Sequence, residues 1–159
     1  MIRLEPMDEA TYETWREGSI REYAQEKVDA GTWPEAEALD RSTRSYIDLL
    51  PDGLETADHQ LRSMVTDEDE RVGHAWFVVE DRPIGRVVFI YDIAVNPAHR
   101  RKGYAQAALG EIETYARDHG CVGVQLHVHG GNAGARQLYL RAGFVETDVT
   151  MLKRVGGRQ

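Results

Sequence analysis

The 159-residue chain reads as an α+β fold, a mixed sheet flanked by helices. Two changes of hydrophobic period carry that reading. The first third repeats at helical spacing, and the middle is β-rich and broken by turn residues. The last third is a strand, helix and strand over residues 87–95, 105–119 and 122–129. Such a βαβ unit requires a parallel strand pair with a right-handed crossover.

Ile2 and Leu4 mark a short first strand over residues 2–6. Residues 8–30 follow as a helix with Tyr12, Trp15, Tyr23 and Val28 on an imperfect apolar face, stopped by Gly31. Thr32-Trp33-Pro34-Glu35 has the form of a capping box with proline just inside a second helix. Leu39, Tyr46 and Leu50 recur along that helix until Pro51-Asp52-Gly53 ends it. Residues 61–66 predict a strand and 67–70 an acidic hairpin tip. Residues 72–80 and 87–95 are two more strands, joined through Pro83 and Gly85, which completes an antiparallel meander. A helix over 105–119 has Leu109, Ile112 and Ala116 on one face and Gly120 at its end. Residues 122–129 alternate, with Val122, Val124, Leu126 and Val128 on one side and Gly123, Gln125, His127 and His129 on the other. Asn132 suits the N-cap of a last helix that Gly143 stops, and 144–155 predict one or two closing strands.

Composition excludes several classes. Hydrophobic residues at 42% and charged residues at 29% fit neither a disordered nor a collagen-like chain. A net charge of −8 argues against whole-surface nucleic-acid binding and leaves only local basic sites. One cysteine excludes a disulfide framework or a Cys-rich zinc module. No signal-like region and no apolar run of about 18 residues occurs, so no membrane partner is expected. With no repeat or linker, the expectation is a single cytoplasmic domain over 1–159.

The stretch Arg100-Arg101-Lys102-Gly103-Tyr104-Ala105 carries the most chemistry. It lies between a strand end and a helix start, where free backbone N–H groups and the helix dipole favour an anion. Gly103 allows close approach, and three consecutive cations stand out in an acidic chain. A solvated basic loop is the plain reading of the cations alone; with the glycine at that junction, a phosphate or pyrophosphate site is the better one. No P-loop motif is present. Gly130-Gly131-Asn132-Ala133-Gly134 only weakly mimics a dinucleotide fingerprint, and too little chain follows it for a second βα unit.

Arg100-x-x-Gly103-x-Ala105 resembles the Gln/Arg-x-x-Gly-x-Gly/Ala pyrophosphate motif of the GNAT superfamily of N-acetyltransferases. Asp92-Ile93-Ala94-Val95-x-Pro97 precedes it as in that family. Asn132, Ala135, Leu138, Tyr139, Gly143 and Phe144 are similar to the family's N-x-x-A-x-x-L-Y-x-x-x-G-F block. The resemblance covers roughly residues 60–155, and the stretches 22–33 and 49–56 resemble a bacterial branch without an assigned substrate.

The resemblance implies a GNAT-like, mostly antiparallel sheet whose central parallel pair, 87–95 and 122–129, splays into a V. It implies acetyl-CoA as co-substrate; no metal is expected. Pantetheine would lie against Ile93, Ala94 and Val95, and the pyrophosphate against the amides of 101–105, with Arg100, Arg101 or Lys102 reaching the remaining phosphates. Asn132 and Tyr139 complete the implied cofactor contacts.

Acetyl transfer requires a neutral amine, yet a lysine-like amine titrates near about 10.4 and must lose a proton. The developing oxyanion needs a donor, for which the Val95 N–H is the candidate. Tyr139, two helical turns beyond Asn132, occupies the family's general-acid position; a packing aromatic is its plain reading. For the base, His127 is the candidate because an imidazole can take up a proton near neutral pH, and a solvated strand histidine is the other reading. Asp92 is the second candidate and His59 a third. His127-x-His129 has no third metal ligand nearby in sequence.

The expected activity is transfer of an acetyl group to a primary amine. The alternative is a non-catalytic CoA-binding module on the same scaffold. The acceptor is a small-molecule or peptide amine, and homodimer formation is left open. The acidic helix bearing Glu9, Glu13, Glu17, Glu22, Glu26 and Asp29 could attract a cationic acceptor or serve solubility alone.

Overall fold

The computed structural model describes residues 1–156. Contacts divide the chain into two compact units, the first ending at His127 and the second starting at Val128. The elements of the first are β1 (Ile2–Pro6), α1 (Glu9–Asp29), α2 (Glu35–Leu49), β2 (His59–Thr66), β3 (Arg71–Arg82), β4 (Gly85–Val95), α3 (Tyr104–Asp118) and β5 (Gly123–Leu126). The second contains α4 (Ala133–Arg141).

The five strands form one sheet in the order β1-β2-β3-β4-β5. The first four pair antiparallel, and β4 pairs with β5 in parallel across α3. One face packs under α1 and α2 through Tyr12, Trp15, Tyr46, Leu61 and Trp76. At one end of the sheet, Ile2, Met64 and Val72 pack with Ala108 of α3. β3 and β4 come close at Gly73, where a Cβ would stand 2.4 Å from the Ala94 carbonyl oxygen and 3.1 Å from Val95 Cα. Only glycine fits there, for lack of space.

Asp8 caps α1, its side chain accepting the Thr11 N–H at 2.7 Å. Gly31, at φ 73°, ends the helix, and Thr32 N–H returns to the Lys27 carbonyl at 2.9 Å. Thr32 therefore closes α1. Pro34 itself is the N-cap of α2 with no side-chain bond, so the expected capping box does not form. The buried stripe of α2 is Ala38, Ser42 and Tyr46, whereas Leu39 points to solvent. Ser42 joins the helices by donating to the Ile20 carbonyl at 2.7 Å.

Two strand expectations are corrected. β5 covers only Gly123–Leu126 rather than 122–129, because its pairing with β4 ends at Ile90↔Leu126. Val122 lies outside it and is 64% exposed. The closing strands over 144–155 are not found among the described residues. Val145, Val149, Met151 and Leu152 are exposed there, and β propensity alone makes no strand without a paired neighbour. In the second unit, Asn132 accepts the Ala135 N–H at 3.2 Å and Gly143, at φ 97°, follows the end of α4.

Candidate active site

The site begins where β4 breaks register. Phe77 faces Ile90 while Trp76 faces Asp92, which leaves Tyr91 as an extra residue. Such a bulge bends its strand and interrupts pairing. Pairing with β5 ends one residue earlier, at Ile90. Residues 91–95 thus pair with β3 on one edge and with no strand on the other among the described residues.

Ladder alternation decides where their backbone points. Asn96 N–H donates to the Val72 carbonyl at 2.8 Å. Its neighbours His74↔Ala94 and Trp76↔Asp92 are then the bonding pairs with β3. The N–H and C=O groups of Ile93 and Val95 turn toward the open edge. Arg100 Nε donates to the Val95 carbonyl there, at 3.1 Å.

The bulge also sends Tyr91 and Asp92 to the same face, beneath α1 and α2. Tyr91 stacks on Trp76 with centroids 4.7 Å apart. Asp92 Oδ2 accepts from Trp15 Nε1 at 3.2 Å and from His74 Nε2 at 2.8 Å. Trp76 Nε1 donates to His59 Nδ1 at 2.9 Å, and His59 stacks on Tyr91. Burial pushes the His59 imidazole below its ordinary pKa. Burial, and then the Asp92 charge, push the Tyr46 hydroxyl far above the ordinary tyrosine range.

Beyond Val95 a turn at Pro97–His99 leads to the basic loop. Arg101 at φ 66° and Gly103 at φ 81° are both left-handed. Among the described residues, no acceptor meets the backbone N–H groups of 101–106; the first helical bond runs from Ala107 N–H to the Gly103 carbonyl at 3.0 Å. A Cβ on Gly103 would meet nothing within 4 Å. This open set of donors at a helix N-terminus fits a pyrophosphate. Arg100, Arg101 and Lys102 are exposed beside it. The Tyr104 side chain packs beside Ile2, Met64 and Val72, so its contribution to an anion is its amide, as it is for half-buried Ala105.

Asp92, Ile93, Ala94, Val95 and residues 100–105 follow one another around the open end of β4. His127 is exposed, one residue past β5. Asn132 and half-buried Tyr139 belong to the second unit, where the Tyr139 ring meets Phe144 edge-on at 5.8 Å. Sequence reasoning missed His74 and Trp15 as partners of Asp92. The alternation of His74 and Trp76 on one strand face was the available signal.

A sheet open beside its parallel pair, with free donors on that edge and at the following helix, defines a fold suited to holding an extended ligand that ends in an anion. The chain belongs to the acetyltransferase (GNAT) family, whose sequence profile matches residues 11–144, and it is an N-acetyltransferase. It is similar to YycN of Bacillus subtilis strain 168, an uncharacterized N-acetyltransferase, with 40% identity over 97% of this chain and 99% of that protein. A second uncharacterized N-acetyltransferase of that strain, YdgE, is 32% identical over 96% of this chain and 97% of its own length. The crystal structure of YycN matches with a TM-score of 0.88, covering 98% of this chain and 99% of that one. The aminoglycoside 6'-N-acetyltransferase AAC(6')-Ih of Acinetobacter baumannii shares the fold at a TM-score of 0.61 and 20% identity, over 98% and 100% of the two chains.

Proposed function

We propose that this acetyltransferase moves the acetyl group of acetyl-CoA to a primary amine, by direct attack of the amine on the thioester. The observation that carries the proposal is a pair of open donor sets, Ile93 and Val95 on the strand edge and residues 101–106 at the start of α3. Ile93 and Val95 offer a strand edge to the amides of pantetheine, while the Ala94 backbone between them is turned to β3. The Val95 N–H stabilises the oxyanion that forms at the carbonyl. The amides of 101–105, with Arg100, Arg101 and Lys102 around them, take the phosphates.

Tyr139 is the proposed proton donor to the departing sulfur, and Asn132 caps the helix that carries it. Of the two groups considered for the proton-accepting end, Asp92 stands on the open segment of β4 and His127 lies beyond β5. The family match runs through both compact units, which supports reading 1–159 as a single domain. Among the described residues no helix is long and apolar enough to cross a membrane, and a cytoplasmic location is proposed.

Thiol release from acetyl-CoA in the presence of spermidine, kanamycin and a dipeptide amide tests the activity, with calorimetry of CoA binding beside it. Amine-dependent release is the expected result. CoA binding without release by any amine would instead make the chain a non-catalytic CoA-binding module.

A further inference from the structure

Asp92 is bonded to an imidazole that proton transfer can use. We infer that His74 is the side chain that takes the proton from the acceptor nitrogen, with Asp92 as its positioning residue; the inference rests on the acetyl-transfer reading above.

The geometry is a dyad with a second anchor. His74 Nε2 lies 2.8 Å from Asp92 Oδ2, and Trp15 Nε1 donates to the same oxygen at 3.2 Å. With the carboxylate accepting, Nε2 carries the ring proton and Nδ1 keeps its lone pair. Among the described residues nothing bonds Nδ1. The His74 side chain is 25% exposed, so a substrate or a single water can reach it.

Position agrees with the chemistry. His74 faces Ala94 in the ladder, one strand in from the open edge toward which the Ile93 and Val95 amides point. Asp92 is less suited to act alone, because its Oδ2 already accepts two bonds. The groups facing His74 from other elements leave the dyad a single negative charge. They are the Asp92 carboxylate on β4, the Trp15 indole on α1 and Ser63 across the ladder on β2. Tyr46 on α2 stays protonated because burial and the Asp92 charge raise it.

The step balances as follows. The acceptor nitrogen forms a bond to the acetyl carbon and the carbon–sulfur bond breaks. The nitrogen attacks as a neutral amine, and the single proton it sheds passes to His74 Nδ1, directly or through one water, and then to solvent. The departing sulfur takes a proton from the Tyr139 hydroxyl, which solvent replaces.

Two measurements test this. Long-range ¹H–¹⁵N NMR of histidine-labelled protein should find His74 as the Nε2–H tautomer, with its titration midpoint readable in the free protein. The pH profile of kcat/KM for thiol release, with whichever of spermidine, kanamycin or dipeptide amide turns over fastest, should show an acidic limb at that midpoint. His74→Gln should abolish the limb and lower kcat/KM by roughly 10²–10⁴-fold, with the CoA dissociation constant within about twofold of wild type. Asp92→Asn should free the ring to adopt the other tautomer and lower kcat more than it changes KM. An Nδ1–H tautomer in the wild type, or a limb that persists in His74→Gln and vanishes in His127→Ala, overturns the assignment while the enzyme reading stands. Wild-type protein that releases no thiol with any amine overturns both.

Discussion

Tyr91 stacks on Trp76 with ring planes 21° apart, although the ladder pairs Trp76 with Asp92. A regular strand sends consecutive side chains to opposite faces. Here the bulge keeps both on one, so Tyr91 lies on the Trp76 indole while Asp92 turns to His74 and the Trp15 indole. Trp76 is 3% exposed, and Trp76→Ala is expected to cost about 3–5 kcal/mol in urea unfolding. Trp76→Phe should cost less, while removing the donor to His59.

His59 makes stability depend on pH. Burial holds its folded-state pKa below the ordinary 6.5, so the unfolded chain binds more protons in the window between the two. Stability is therefore greatest above that ordinary value and falls as acid is added through the window, down to the folded-state pKa. Urea midpoints taken from pH 7.5 downward should show the fall, and His59→Gln should flatten it relative to wild type.

Gly103 is expected to be the most sensitive position in the phosphate loop. At φ 81° any L side chain is strained, by about 1–2 kcal/mol. Its Cβ would enter space empty of protein atoms, so Gly103→Val should still fold. Calorimetry should find CoA binding weakened at least about tenfold, a loss of about 1.4 kcal/mol. Unchanged affinity in the folded variant would move the phosphates elsewhere.

Tyr139→Phe keeps the ring that meets Phe144 and removes only the hydroxyl. Turnover should drop roughly ten- to a thousandfold, with CoA binding little changed. If turnover is unchanged and chemistry limits the rate, Tyr139 is a packing residue.

Glu9, Glu13, Glu17, Glu22, Glu26 and Asp29 are all exposed on α1. A cationic acceptor drawn by them should show a kcat/KM that declines from low salt to about 0.5 M as screening shortens the Debye length. A preference for neutral or anionic acceptors, or no salt dependence, would leave α1 with a solubility role.

The meander, the βαβ unit and the basic loop were legible because each is written in local pattern: alternation, Pro and Gly at turns, and glycine at a helix start. The Asp92–His74–Trp15 cluster was not. Counting back from Arg82↔Gly85, an unbroken ladder sets Asp92 opposite Ala75, on the other face of the sheet. One extra residue at Tyr91 moves it opposite Trp76, and no glycine or proline at that point announces the shift. The ends of β5 and of the C-terminal stretch were misread for a related reason: a strand needs an edge to pair with, and local sequence does not report where edges stop.

Gly73 gives the molecule a mechanical vulnerability at a position that has no chemistry of its own. With Ala94 and Val95 in contact with it across the ladder, a side chain there pushes the last turn of strand before the basic loop away from β3. Even a methyl group acts as a wedge, displacing the segment that carries the Val95 amide. A variation in this bland, half-buried spot would thus behave as a misaligned jaw, leaving every chemical group present and the grip on the thioester lost.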